Sequence, residues 1–164
     1  MTELQSGIAP DPAAMRTVMG FFATGVTVIT AMAGEEPVGL AANSFTSVSL
    51  EPPLVLFCAA TSSSTWPKID AAGKFCVNFL PEDGEQTCRV FASPGDRFSQ
   101  VGWHSGTTGS PVLDAALAYV DCEIEHRYDG GDHVIVVGRV VDLGHREHGT
   151  PLAFYRGGYG RFVS

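Results

Sequence analysis

Four short stretches hold the side chains that could do chemistry. Asn43 to Pro53 reads NSFTSVSLEPP, small hydroxyls and an amide set between the apolar segments VGLAA and LVLFCAA. Ser62, Ser63, Ser64 and Thr65 form a second cluster of hydroxyls, Gly130 to His133 reads GGDH, and Phe154 to Tyr159 reads FYRGGY. Short donors let a backbone approach a ligand closely, so the first stretch could be a wall that holds something flat and anionic. The other reading is a polar turn. Ser62–Thr65 precede a helix-like run, and the start of a helix favours an anion. A histidine just after a hairpin turn sits at a rim, where it can donate to an amide carbonyl or a phosphate without carrying permanent charge. An ordinary turn histidine is the alternative there.

Familiar catalytic signatures are missing. The chain has no GxSxG elbow, P-loop or HExxH, and no GxGxxG opening a strand-to-helix turn. His145-Arg146-Glu147-His148 falls in a turn ending at Gly149, which reads as a solvated loop before it reads as a metal pair. His104, His126 and His133 are scattered. The four cysteines lack CxxC spacing, and Cys58, Cys76 and Cys122 lie in apolar runs, so buried reduced thiols are expected and no metal.

The elements that must position these residues follow from composition and pattern. With 164 residues, 45% of them hydrophobic and 17% charged, the chain suits one globular domain spanning 1–164, with 1–10 as a flexible tail. A net charge of −8 argues against nucleic-acid binding. No apolar run reaches the roughly 18 residues of a membrane span, and no basic-then-apolar leader is visible, so a cytoplasmic protein is expected. Asp11-Pro12 should start a helix that puts Met15, Val18, Met19 and Phe22 on one face and stops at Gly25. Strands are expected over 26–32, from 38 onward, and over 54–60, 75–80, 118–128 and 133–142. Short helices fit 65–72, stopped by Gly73, and 84–92.

In the strand 118–128, Val120, Cys122 and Ile124 should face inward and Asp121, Glu123 and Glu125 outward. Asp129 to Asp132 signals a hairpin, and 95–111 a long loop. Strands without regular helix alternation point to a closed or nearly closed antiparallel barrel. Strands 26–32 and 134–141 are apolar on both faces, so helices or a second subunit must cover the outer one.

Taken with ATGVTVIT (Ala23 to Thr30), the stretches NSFTSVSLEPP, GGDH and FYRGGY resemble the short-chain flavin reductases of two-component flavin-dependent monooxygenases, in the flavin-binding split-barrel superfamily. The resemblance runs from Met15 to about Phe162 in the family's order, with NSFTSVSLEPP and GDH its most specific parts. Where the family often has a basic residue before Asp-Arg-Phe, this chain has Gly95 before Asp96-Arg97-Phe98. The resemblance implies a mainly β fold, an antiparallel split β-barrel with a few flanking helices, assembled as a homodimer. It implies an oxidoreductase that passes hydride from NADH to free FAD or FMN and releases reduced flavin to a partner monooxygenase.

Asn43 and Ser44, with Ala42 beside them, would serve the flavin tail. Ser47, Val48 and Ser49 would line the polar edge of the ring, and Ser62, Ser63, Ser64 and Thr65 would meet the phosphate. Ala92, Arg97 and Phe98 complete the flavin set; His133, Tyr155, Gly157 and Tyr159 would contact NADH. No acid–base residue is required, because hydride transfer between stacked rings depends on alignment. The absence of an arginine cluster for a 2′-phosphate favours NADH over NADPH. A non-catalytic flavin-binding or flavin-storing barrel is the alternative.

Overall fold

In the computed structural model, which describes residues 2–163, the first helix α1 (Pro12–Met19) starts where the sequence says. The Asp11 carboxylate accepts from Ala14 N at 2.8 Å, and proline occupies the first turn. The helix ends at Gly20, earlier than the expected stop at Gly25, because Phe21 and Phe22 close tighter turns onto Val18 O and Met19 O. None of its residues is buried; Met15, Val18 and Met19 stay exposed.

The chain then runs β1 (Thr24–Gly25), β2 (Thr27–Ala33), β3 (Glu36–Ala42), β4 (Thr46–Leu50) and β5 (Pro53–Ala60). Helix α2 (Trp66–Ala72) is stopped by Gly73, whose φ of 70° is left-handed, and leads into β6 (Lys74–Phe79) and α3 (Glu85–Ala92). The expected loop carries a 3-10 turn (Phe98–Gln100) and a small ribbon of β7 (Trp103–Ser105) and β8 (Pro111–Leu113). The long hairpin of β9 (Ala118–Gly130) and β10 (His133–His145) turns at Gly131-Asp132, and β11 (Leu152–Tyr155) and β12 (Gly158–Arg161) end the chain.

Seven strands form one antiparallel sheet in the order β3-β2-β6-β9-β10-β5-β4. The sheet curls until β3 lies against β5, with no ladder between them, so the barrel is split along that line. Ser44, just past β3, spans the split: its Oγ accepts from Cys58 N at 2.9 Å and lies 3.1 Å from Cys58 O. A second sheet, β1-β11-β12, flanks the opening.

Two apolar clusters fill the molecule. Inside the barrel, Ile29, Phe57, Phe75, Val77 and Val136 pack with Trp66 and Ile69 of α2. Outside it, Val26 and Val28 pack with Phe91 of α3, Leu80, Leu113 and Leu152. Strand β2 is therefore covered on both faces by its own chain, and the second subunit that its apolar pattern allowed is not needed there. Asp121 also departs from the expected alternation. It is fully buried, because the 106–111 loop folds over it and donates from Thr108 N (2.8 Å) and Thr108 Oγ1 (2.6 Å).

Candidate functional site

Where β3 leaves the sheet at Ala42, the chain crosses to β4 through Asn43–Phe45. This crossing faces the end of α1, the short strand β1 and the β11–β12 hairpin, and the four enclose a cavity of about 1070 Å³. Phe22, Phe45 and Phe154 give it aromatic walls; Thr24, Asn43, Ser44 and Thr46 contribute small polar groups; Arg16 and Arg156 stand on its rim. Among the described residues, no Asp or Glu lines it. Thr24 Oγ1 is buried there with no hydrogen-bond partner among the described residues. Two smaller cavities adjoin, one of about 280 Å³ lined by Ala42, Ala92, Cys88 and Tyr159, the other of about 200 Å³ beside Thr27 and Phe79. Asn43 lines all three.

The β11–β12 hairpin is held in place through its tip. Arg156 (φ 50°) and Gly157 (φ 79°) make a tight turn of two left-handed residues. Arg156 N donates to Gly20 O at 3.0 Å, and its guanidinium sits 4.6 Å over the Phe21 ring. Tyr155 packs edge-on against the same Phe21 ring and lines none of the three cavities. Tyr159 turns inward against Phe154, its hydroxyl 3.4 Å from Cys88 Sγ. That bond, with burial next, raises the Tyr159 pKa.

A second group lies at the α2 end. Arg97 donates from Nε to Ser93 O (2.7 Å), and from Nη1 to Thr65 Oγ1 (3.2 Å) and to Gly39 O, which ties α2, α3 and β3 together. Burial lowers its pKa. Phe98 packs edge-on against Phe91 and Trp103. Thr65 occupies the cap position of α2 without capping it; Ser63 Oγ takes that role, accepting from Thr65 N and Trp66 N at 3.2 Å each. Ser62 and Ser64 are exposed. On β4, Ser47 and Val48 are exposed, and the register skips Val48 as a bulge, which leaves its backbone outside the ladder.

His133 opens β10 opposite Ala60, with Nδ1 2.6 Å from Asp132 Oδ1. Asp132 O in turn accepts from Thr61 N (2.9 Å) and Thr61 Oγ1 (3.0 Å), which fixes the hairpin tip beside Ser62 and Ser63. The Asp132 carboxyl is held below the usual range by the His133 hydrogen bond first, then by the charge of His133, with a smaller contribution from Arg16.

Of the residues singled out from sequence, Ala42, Asn43, Ser44, Ala92, Gly157 and Tyr159 meet at the connected cavities. Thr65 meets Arg97, and His133 lies at the neighbouring rim. The Ser44 and Ser63 hydroxyls are already engaged with their own backbone. Sequence reasoning missed Arg16, Thr24, Phe45, Phe154 and Arg156. Thr24, Phe45, Phe154 and Arg156 lie inside quoted stretches, but nothing local to Arg16 separates it from any other exposed helical arginine.

Aromatic walls, small donors and rim arginines without carboxylates fit a flat heterocycle with an anionic tail. Among the described residues no cluster of three or more His, Cys, Asp and Glu could hold a metal, and no helix is long and apolar enough to cross a membrane.

The family model for the flavin reductase like domain matches residues 19–162. The reductase subunit HsaB of a flavin-dependent monooxygenase from Rhodococcus jostii is 47% identical over 92% of this chain and 78% of its own. The FMN reductase (NADH) SmoA of Agrobacterium fabrum is 42% identical, over 90% of this chain and 84% of its own. The crystal structure of Streptomyces globisporus NADH:FAD oxidoreductase SgcE6, in complex with NAD and FAD fragments, superposes with a TM-score of 0.91. It shares 38% identity and covers 99% of this chain and 98% of its own.

Proposed function

The chain belongs to the flavin reductase-like domain family, and on that premise we propose that it is an NADH-dependent flavin reductase serving a separate monooxygenase. The observation that carries this reading is the acid-free, aromatic-walled cavity at the split of the barrel, built around the crossing that follows β3. Bound FAD or FMN supplies the chemistry, accepting hydride at N5 from the dihydronicotinamide.

The chain's own residues bind and align. Asn43 sits at the junction of the cavities, and the bulge at Val48 offers free backbone to the polar edge of the ring, flanked by Ser47 and Ser49. Thr65, with Ser62 and Ser64, serves the flavin tail, and Arg97 holds Thr65 and β3 in place. Ala42, Ser44 and Ala92 shape the walls, while Ser63 caps α2 beside the flavin tail and Phe98 backs α3 through Phe91. His133, Gly157 and Tyr159 take the dinucleotide, with Tyr155 steadying the hairpin from outside. Two rings held at van der Waals distance need no proton relay.

A homodimer completes the molecule. Its support is the apolar surface left open on α1 with Phe21 and Phe22, and the half-buried outward face of β5 and β10 with Leu54, Leu56, Cys58 and Ile135. Four free thiols and the use of NADH support a cytoplasmic setting.

The test is direct. Purified protein with NADH and catalytic FAD or FMN in air should bleach the 340 nm band and form peroxide, with flavin exchanging freely on dialysis. A barrel that binds flavin yet leaves NADH unoxidised is a storage module, and the reading falls.

A further inference from the structure

The chain carries ten Lys and Arg side chains against eighteen Asp and Glu, so cations are scarce. Lys68, Arg89, Arg127, Arg139 and Arg161 are paired with carboxylates. Arg97 is spent on Gly39 O, Ser93 O and Thr65, and Arg146 on Asp114 O and Ala116 O. Among the described residues this leaves Arg16, Lys74 and Arg156 with neither an ion pair nor a side-chain hydrogen bond. Two of these three stand on the rim of the same cavity, whose lining contains no acid in a chain of net charge −8.

We propose that Arg16 and Arg156 form a clamp for the pyrophosphate of NADH, an inference that rests on the flavin-reductase reading. The backbone fixes the distance between the two stems. Gly20 N donates to Arg16 O at 3.0 Å, while Gly20 O accepts from Arg156 N at 3.0 Å, so one glycine bridges both arginines. Stacking on Phe21 adds to this by holding the Arg156 guanidinium in advance of any ligand. A pyrophosphate spreads its charge over two linked phosphates, and a guanidinium binds such oxygens in bidentate fashion where an ammonium acts as a point charge.

Position selects NADH over the ADP half of FAD. Arg156 lies between Tyr155 and Gly157, and Arg16 is near enough to Asp132, beside His133, for its charge to reach that carboxyl. Both arginines therefore border the dinucleotide segments. Thr65 and Arg97, assigned to the flavin tail, line none of the three cavities.

The experiment compares Arg16→Gln and Arg156→Gln with wild type, and uses Lys74→Gln, away from the cavity, as the control. Calorimetry with ADP-ribose should show each arginine variant binding about tenfold more weakly or worse, the loss expected for one charge-assisted hydrogen bond. Lys74→Gln should bind as wild type does. In turnover with FMN, the ratio of kcat/KM for NADH to that for phosphate-free 1-benzyl-1,4-dihydronicotinamide should fall at least about tenfold. Equal ADP-ribose binding in all four proteins overturns the clamp. A loss confined to FAD, with FMN and NADH kinetics intact, moves it to the flavin and overturns the assignment to NADH. A loss confined to NADPH places it on a 2′-phosphate and overturns that assignment as well. Weakened ADP-ribose binding in a protein that reduces no flavin supports the clamp while sinking the flavin-reductase reading.

Discussion

On the proposed assignment to NADH, His133 would act as a single hydrogen-bonding group, held by Asp132 at the rim beside Thr61. Losing one good hydrogen bond costs about 1–1.5 kcal/mol, so His133→Ala should raise the NADH KM about tenfold and leave flavin affinity nearly unchanged. Steady-state kinetics beside a flavin titration check this; flavin binding that collapses while NADH kinetics hold would reverse the roles. The buried thiols give a second residue-scale expectation. Burial, with the charge of Asp121 next, pushes Cys122 up to about 12 and Cys76 higher still. An unfolded thiol ionises near 9, so the contribution to stability is complete below that pH and is lost above it, as the unfolded chain sheds its proton. The loss is about 1.4 kcal/mol per pH unit per thiol. Urea midpoints from pH 8 to 10.5 should therefore fall more steeply for wild type than for Cys122→Ala, and parallel profiles would contradict it. The burial of Cys76 and Cys122 was legible, because each sits in an apolar run. The burial of Asp121 was not, since its partner Thr108 lies on a separate loop and alternation along β9 carries no trace of it.

Elements are where local pattern served best. The Gly131-Asp132 turn, the left-handed stop at Gly73 and the spans of β5, β6 and α3 all follow from nearest-neighbour chemistry. What covers an element is decided by distant residues, and the cover of β2 by α2 on one face and α3 on the other was readable only as a need. The site divides the same way. Asn43 and Gly157 stood out in their motifs, whereas Arg16 gained its place only once Gly20 was joined to the hairpin. Strand β10 also holds a constraint invisible in sequence. At its bulge, a Cβ on Gly138 would lie 2.4 Å from Phe75 Cζ and 3.0 Å from Cys122 Cβ, inside the barrel core. The ring of Phe75 is locked edge-on against Phe57 and has nowhere to retreat. Gly138→Ala should thus destabilise the protein by about 2–3 kcal/mol, as overpacking does, read as a lower urea midpoint with an unchanged slope. A midpoint equal to wild type would show that the core yields more than its packing implies.

On the scale of the whole molecule, the open apolar surface asks for a partner, and the homodimer proposed above would supply one. Leu50 is 93% exposed and Phe22 70%. Sedimentation at micromolar concentration should give twice the monomer mass, and a fully active monomer would end the proposal. Net charge adds a further point: a surface at −8 does not draw anionic nucleotides from a distance, so their capture is left to short-range contacts at the mouth of the site. One side of that mouth is the crossing after β3, where the Ser44 hydroxyl ties the chain to Cys58 of β5. The wall beside the cavity is one short crossing pinned by those two bonds, about 2 kcal/mol together, so it can yield while the core inside the barrel stays packed. On the proposed reading, a flavin that arrives and departs at every turnover would pass a wall built to give way without disturbing the fold.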